Sequence, residues 1–330
     1  MNEKDILLSI CIPTYNREDF LKISLSVLMP QINIDDPIEV IVSDNCSPDN
    51  TLSVINQYIT HPRFKLIKRN ENKGPIINGI DIIRYHAKGK YCWYLGDDDY
   101  IMPGGISKIL SLLESNQDCD FFYIDIENHQ LDKHKIQLKD TLSYIQNQDF
   151  INKIQYKKIE KFEELLHPQY SDLFLGELMA SIFRKDLWLQ EKDIYNYINL
   201  EYLSTLETAY THCVIFANQF IGKKAIYVST PIILVDNRAR EWSAKAHYII
   251  VEHLLTLLKL YHSKGVKGDL YNACKKHYIR LTLPVVFRFL FFRNTQFREK
   301  ISYMRYFVFI LQNLVATVSS VTVIIKKRFS

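Results

Sequence analysis

A mostly parallel α/β sheet with helices on both faces, followed by a helical C-terminal region, is the fold class that this 330-residue chain predicts. Short β-branched apolar runs alternate with stretches of helical periodicity, and each run ends in polar turn residues. A composition of 47% hydrophobic and 24% charged residues can fill a sizeable core.

Residues 7–13 (LLSICIP) read as the first strand, after which Phe20, Leu21, Ile23, Leu25, Val27 and Leu28 recur at helical spacing. Residues 38–43 (IEVIVS) give a second buried strand, closed by Asp44, Asn45 and the turn residues Ser47, Pro48 and Asp49. Strand, helix and strand make one βαβ unit. A weaker strand at 64–67, a helix at 76–86, a buried strand at 91–95 (YCWYL), a helix at 104–114 and a strand at 121–126 continue the alternation. Further on, the pattern predicts a helix over 205–218 and a strand over 225–231 that ends at Pro231.

Several classes are excluded. Ten glycines and ten prolines rule out collagen-like and low-complexity chains, and there is no period of roughly 20 to 50 residues such as a solenoid has. Six scattered cysteines without a CxxC pair suggest neither a zinc site nor a disulfide framework, so a reducing compartment is expected. The acidic opening residues lead straight into a strand, unlike a signal peptide, which points to the cytoplasm. The first turn lacks both the Gly-x-Gly-x-x-Gly fingerprint and the Walker lysine loop, which disfavours a dinucleotide enzyme or a P-loop NTPase.

In open α/β sheets, ligands bind at the carboxyl ends of the strands. Here those ends carry Pro13-Thr14-Tyr15-Asn16-Arg17, then Asp44-Asn45, then Gly96-Asp97-Asp98-Asp99. Three consecutive carboxylates repel one another unless water or a cation compensates. Mg²⁺ or Mn²⁺ is the natural compensation, since it takes one or two carboxylates and completes its shell with water and phosphate oxygens. The bland alternative is a solvated loop in which Asp99 caps the next helix.

The runs 9–17 (SICIPTYNR), 39–45 (EVIVSDN), 72–74 (NKG), 78–79 (NG), 87–91 (AKGKY) and 96–99 (GDDD) before Pro103-Gly104 resemble, in order and spacing, the family 2 glycosyltransferases. The resemblance covers about residues 7–126 and implies a GT-A-type, Rossmann-like fold. It also implies transfer of a sugar from a nucleotide-diphosphate donor to a hydroxyl with inversion. Position by position, it places Pro13, Thr14, Tyr15 and Asp44 against the nucleotide and Asn72, Gly74 and Asn78 along the donor pocket. Asp97, Asp98 and Asp99 fall on the metal-binding acidic region, with Asp98 and Asp99 ranked first as ligands. Gly96 stands where many members have an acid.

Such a displacement needs a general base, worth typically about 10²- to 10⁴-fold. The family's base stands about nineteen residues before a strand-ending proline. Counting back from Pro231 reaches His212, where no acidic pair is found. His212 is the first candidate because imidazole accepts a proton near neutral pH, Glu207 the second. The reading of His212 as an ordinary core or surface histidine is equally weighted. Glu177 is a weaker candidate for meeting the acceptor. Arg238 and Arg240 could grip a diphosphate and Trp242 could stack on a sugar; a basic loop around one buried tryptophan is the alternative.

Three regions are expected: 1–126 for the nucleotide sugar, 127–243 for acceptor and catalysis, and 244–330 for membrane association. Residues 130–167 read as a polar helical insert or flap with a solvated face. Between 278 and 330 nine Lys or Arg face one acid, a local balance of +8 in a chain of net charge +4. As a helix, 307–325 would align Phe307, Ile310, Leu311, Leu314, Val318, Val321 and Ile325 in one apolar stripe. With Lys326-Lys327-Arg328 beyond it, that stripe suits the inner face of an anionic membrane, and peripheral attachment is favoured over a spanning helix or a homo-oligomer contact. Nucleic acid is disfavoured because the tail is too apolar and lacks glycine-aromatic signatures. A lipid-linked glycan acceptor would then join both ends of the reading. A sugar nucleotidyltransferase would need a glycine-rich, arginine-containing loop after strand one, and residues 14–18 are not that. A non-catalytic sugar- or membrane-binding relative stays open because the acidic pair is missing.

Overall fold

The computed structural model describes residues 6–128, 130–197, 201–239, 245–291, 301–314 and 317–318. The chain divides into two compact units. Met1–Phe162, Glu177–Lys192 and Gly222–Arg240 make the first, and Glu163–Gly176, Asp193–Ile221 and Glu241–Ser330 the second.

The first unit holds strands β1 (Leu8–Thr14), β2 (Ile38–Asp44), β3 (Phe64–Lys68), β4 (Tyr91–Tyr94), β5 (Asp99–Ile101), β6 (Phe121–Glu127), β7 (Tyr156–Ile159), β8 (Ser181–Arg184) and β9 (Ala225–Val235). They join in the order β3-β2-β1-β4-β8-β6-β9-β5, with β7 paired to β9. Strands β3, β2, β1 and β4 run parallel, as do β6 and β9; β8 lies antiparallel between β4 and β6. All seven residues of β2 are buried, as expected of a parallel strand covered on both faces.

Helices cover both faces. On one, α1 (Glu18–Leu28), α2 (Thr51–Asn56) and α4 (Gly105–Ser115) bury Leu21, Leu25, Ile55, Ile109 and Leu113 against Ile10, Ile12, Val40, Val42 and Trp93. On the other lies α3 (Gly74–Asp81), which continues as a π-helical turn over Ile82–His86. Gly79 of α3 meets Tyr94 so closely that an added Cβ would sit 2.6 Å from the phenol oxygen.

The antiparallel strands β5, β7 and β8 escape a period-based reading. They are three or four residues long, and two positions of β7 are lysines. The insert also differs from expectation. Its helices α5 (Gln130–Lys133) and α6 (Thr141–Gln146) build a second small core, in which Leu131 and Ile145 pack with Ile23, Val27, Tyr100 and Leu234. It is a packed cover for β5 and β9 rather than a solvated flap. A short α7 (Lys185–Trp188) follows β8.

The second unit is helical: α8 (Leu206–Ala209), α9 (Thr211–Gln219), α10 (Ala246–Ser263), α11 (Gly268–Phe291) and α12 (Tyr303–Gln312). The helix expected over 205–218 is broken at Tyr210, because Thr205 opens a capping box with Thr208 and α8 closes after one turn. Helix α12 turns Tyr306 and Phe309 inward against Tyr278, while Met304, Phe307, Val308 and Leu311 stay exposed, as do Leu314 and Val318 beyond it. Of the helix expected over 307–325, α12 covers the part up to Gln312, and residues 319–330, with Lys326, Lys327 and Arg328, lie outside the described residues. Among the described residues no helix is long and apolar enough to cross a membrane.

Candidate active site

The carboxyl ends of β1, β2 and β4 meet because the three strands are in register: Thr14 pairs with Asp44, and Cys11 with Tyr94. Their loops are laced together. Asn45 N–H donates to the Thr14 carbonyl, Asn16 N–H to Ser47 Oγ and Glu18 N–H to Asp49. At the opposite end, Ser9 Oγ donates to Glu39, which also receives Lys88 N–H, and Gly89 N–H donates to Ser9 Oγ. A Cβ on Gly89 would lie 2.5 Å from the Ser9 nitrogen, so only glycine lets β4 enter the sheet there.

The acidic turn leaves β4 after Leu95. Thr14 Oγ1 donates to Asp97 Oδ2 at 2.7 Å, fastening the turn to β1, and Gly96 N–H donates to Asp99 Oδ2 at 2.7 Å, closing the turn on itself. Asp97 and Asp99 are buried and Asp98 half-buried. Burial and then the Asp98 charge push the Asp97 carboxyl up to about 7, against the Thr14 hydrogen bond and the Arg17 charge, which pull it down. Arg17, quoted in the first loop without a role, is thus a cation whose charge acts on Asp97; its place directly after the strand-one turn is the signal that could have found it.

Gly96 explains the departure from the usual acidic start. A Cβ at 96 would sit 2.6 Å from Asp98 Oδ1 and 2.8 Å from Asp99 Oδ2, so both carboxylates converge over a position that only glycine leaves open. Hard oxygen donors around such a cradle suit Mg²⁺ or Mn²⁺. Among the described residues no three His, Cys, Asp or Glu side chains are grouped to hold an ion by themselves, so any ion here would need water or phosphate oxygens as well.

The other expected nucleotide contacts divide. Tyr15 is exposed beside Thr14, and half-buried Pro13 precedes them on β1. Asp44 is buried and accepts Ser47 N–H at 3.2 Å, which fixes the turn after β2. Asn72 Oδ1 accepts from Asn45 Nδ2 and Gly74 N–H, so Asn72 and Gly74 form a loop directed by Asn45, and Gly74 adopts a φ of +80° there. Asn78 is buried and exchanges hydrogen bonds with Ser43 while accepting from Arg69 Nε, which makes it a brace between α3 and β2.

The guanidinium of Arg238 is engaged by Asp236, the Ile136 carbonyl and Thr141. Arg240 and Trp242 lie outside the described residues. Asp236 and Tyr100, joined by a 3.1 Å hydrogen bond, were not singled out in the sequence. A lone acid closing the apolar run 232–235 was the available signal.

The candidate bases belong to the second unit. His212 on α9 is buried between Tyr210 and Phe216, and its Nε2 faces the Gly176 carbonyl at 3.2 Å. A carbonyl only accepts, so Nε2 carries the proton. Burial pushes the imidazole down to about 4 despite the helpful Gly176 and Leu175 carbonyls. His212 is thus packed as a core side chain. Glu207 on α8 is half-buried. Glu177, in the first unit just before β8, accepts from Tyr123 at 3.1 Å.

A family model described as glycosyl transferase family 2 matches residues 9–187, more than half of the chain. Abequosyltransferase RfbV of Salmonella typhimurium is 26% identical over 280 residues, which are 79% of this chain and 77% of RfbV. A GalNAc(5)-diNAcBac-PP-undecaprenol beta-1,3-glucosyltransferase of Campylobacter jejuni is 33% identical over 108 residues, covering 31% of this chain and 33% of that protein. Among solved structures, S. aureus TarS 1-349 in complex with UDP-GlcNAc aligns with a TM-score of 0.54 at 17% identity, over 96% of this chain and 79% of that one. Mannosyltransferase PcManGT from Pyrobaculum calidifontis, in complex with GDP-Man and Mn²⁺, aligns with a TM-score of 0.52 at 11% identity, over 96% and 86%. These two likenesses establish the fold.

Proposed function

The chain belongs to glycosyl transferase family 2, and on that premise we propose that it moves a sugar from a nucleotide-diphosphate donor to a hydroxyl of a glycan acceptor in bacterial surface-polysaccharide synthesis. The observation that carries this reading is the acidic turn, fastened by Thr14 to the loop that would hold the nucleotide and cradled over Gly96. Thr14, Tyr15 and Asp44 take the nucleoside, and Asn72 and Gly74 border the donor. Asp98, with Asp97 or Asp99, would hold Mg²⁺ or Mn²⁺, which would offset the charge on the departing diphosphate. The acceptor oxygen attacks the anomeric carbon from the opposite face and gives its proton to a carboxylate. Glu207 is assigned that task in preference to His212, which is buried between two rings with its Nε2 turned to the Gly176 carbonyl.

The two relatives matched by sequence, from Salmonella typhimurium and Campylobacter jejuni, are bacterial, and one is named for an undecaprenol-linked substrate, which favours a lipid-linked acceptor here too. The exposed Met304, Phe307, Val308 and Leu311 face of α12, within a tail of strongly basic sequence, is assigned to the inner surface of the cell membrane. Each basic residue there is worth about 1 kcal/mol toward anionic lipid. Full-length protein should sediment with phosphatidylglycerol vesicles but not with phosphatidylcholine vesicles, and M304E/L311E should stay in solution. Equal retention of the double variant, or dimerisation lost in its place, would reassign the face to protein contact.

Turnover of a panel of nucleotide sugars, measured with and without Mn²⁺, tests the enzyme reading. One donor consumed in a metal-dependent way supports it. Binding without turnover, even with glycan acceptors supplied, favours a non-catalytic relative, a second reading that the burial of His212 keeps in view.

A further inference from the structure

Asp236 is fully buried at the end of β9, yet its carboxylate is crowded with donors. The Tyr100 hydroxyl donates to Oδ2 at 3.1 Å, and Arg238 donates from Nε to Oδ1 at 2.7 Å and from Nη2 to Oδ2 at 2.5 Å. The backbone takes part as well: Asp236 N–H donates to the Asp98 carbonyl at 3.1 Å. One step further on, Asp99, Tyr100 and Ile101 pair in register with Val235, Leu234 and Ile233. The rest of the guanidinium reaches into the insert, from Nη1 to the Ile136 carbonyl at 2.6 Å and from Nη2 to Thr141 Oγ1 at 2.8 Å. Thr141 opens α6, whose Ile145 belongs to the same small core as Tyr100 and Leu234.

An apolar pair of similar volume would hold a sheet edge at least as well as a buried ion pair, because charges are costly to desolvate. What the ion pair adds is direction. The forked guanidinium orients the Asp236 side chain, and the Asp236 N–H holds the Asp98 carbonyl.

We infer that Asp236 and Arg238 are a positioning pair for the acidic turn. They fix Asp98 through its carbonyl and tie the turn to residues 130–146, so that docking of the insert sets how tightly the turn holds a divalent ion. The inference rests on the acidic turn being the metal-binding one.

The test uses the full chain, with Mn²⁺ alone as probe. Free Mn²⁺ is followed by electron paramagnetic resonance, and amide exchange is measured without metal over residues 97–101 and 130–146. R238Q is expected to weaken Mn²⁺ binding by about 10- to 100-fold, the usual cost of losing a group that orients a ligand. Exchange should quicken in both segments together. R238K should recover part of the affinity, because it returns the charge without the fork. T141V, which removes one hydrogen bond and keeps the shape, should weaken binding by about threefold. A merely structural pair would lower the melting temperature and leave Mn²⁺ affinity unchanged; that result in the folded variants overturns the proposal, as does quickened exchange in only one segment. If R238Q fails to fold, R238K and T141V decide. If the unaltered protein takes up no Mn²⁺, the metal reading of the turn fails by itself, while the exchange coupling still judges the pair.

Discussion

Asp97 and His212 are both buried ionisable side chains that the sequence nominates for chemistry, and burial moves each toward its neutral form: Asp97 up to about 7, His212 down to about 4. Their surroundings then part company. Asp97 lies among polar groups, with the Thr14 hydroxyl bonded to it and Arg17 pulling its pKa down against the like charge of Asp98. Around His212 stand two aromatic rings and the Gly176 and Leu175 carbonyls, and among the described residues no carboxylate charge acts on it. Burial among polar partners prepares a site. Burial among rings makes a core.

The largest effect should come from the polar side of this contrast. Asp98→Ala is expected to cut metal-dependent transfer by about 10²- to 10³-fold, the scale of losing a group that stabilises developing charge. Its melting temperature should change little, because Asp98 is half-buried and the turn is held by Thr14 and Gly96. Steady-state rates with the donor identified in the screen, set beside a melting curve, check both halves. Undiminished transfer would put Asp98 on the same footing as His212.

On the apolar side the effect is on stability and follows pH. The folded-state pKa of His212 lies near 4, below the unfolded value of about 6.5, so between the two the unfolded chain binds a proton that the folded chain refuses. The His212 share of stability therefore falls as pH drops through this window, by about 3 kcal/mol once it is crossed. Asp97, raised to about 7, runs the opposite way in the same window, so the slope is read as the difference between the parent protein and His212→Leu in denaturant melts between pH 7 and pH 4. A slope that persists in the variant belongs to other groups, and a loss of transfer at pH 7 far beyond the loss of folded protein would restore His212 to catalysis.

How legible these places were in the sequence follows the same division. The parallel strands, the βαβ order and the acidic turn are local patterns, written within seven or so consecutive residues, and they appear where the spacing put them. Asn78, Arg238 and His212 were read by position along the chain, whereas their roles depend on partners 35, 97 and 36 residues away: Ser43, Thr141 and the Gly176 carbonyl. No period or motif carries that information. The second core was hidden for a related reason. Its members Ile23, Tyr100, Ile145 and Leu234 come from four separate elements, and the insert's apolar residues look sparse until β5 and β9 supply the rest.

The smallest expected effect separates site from scaffold most finely. Gly96→Ala adds one methyl where Asp98 Oδ1 and Asp99 Oδ2 would stand 2.6 and 2.8 Å away. The atoms met are the ends of side chains, which can swing aside, so the fold should lose no more than about 1 kcal/mol. The carboxylates cannot swing aside and still converge, so Mn²⁺ affinity should weaken by about tenfold, as when a ligand loses its support. Gly89→Ala provides the contrast. Its methyl would meet the Ser9 backbone nitrogen at 2.5 Å, which cannot move without the sheet, and it should cost about 1 to 3 kcal/mol of stability while leaving metal affinity per folded molecule unchanged. Measured together by Mn²⁺ titration and thermal melting, the two glycines should exchange rank between the assays. If both lose stability and neither loses metal, the turn at 96 is scaffold, and convergence of Asp98 and Asp99 is packing.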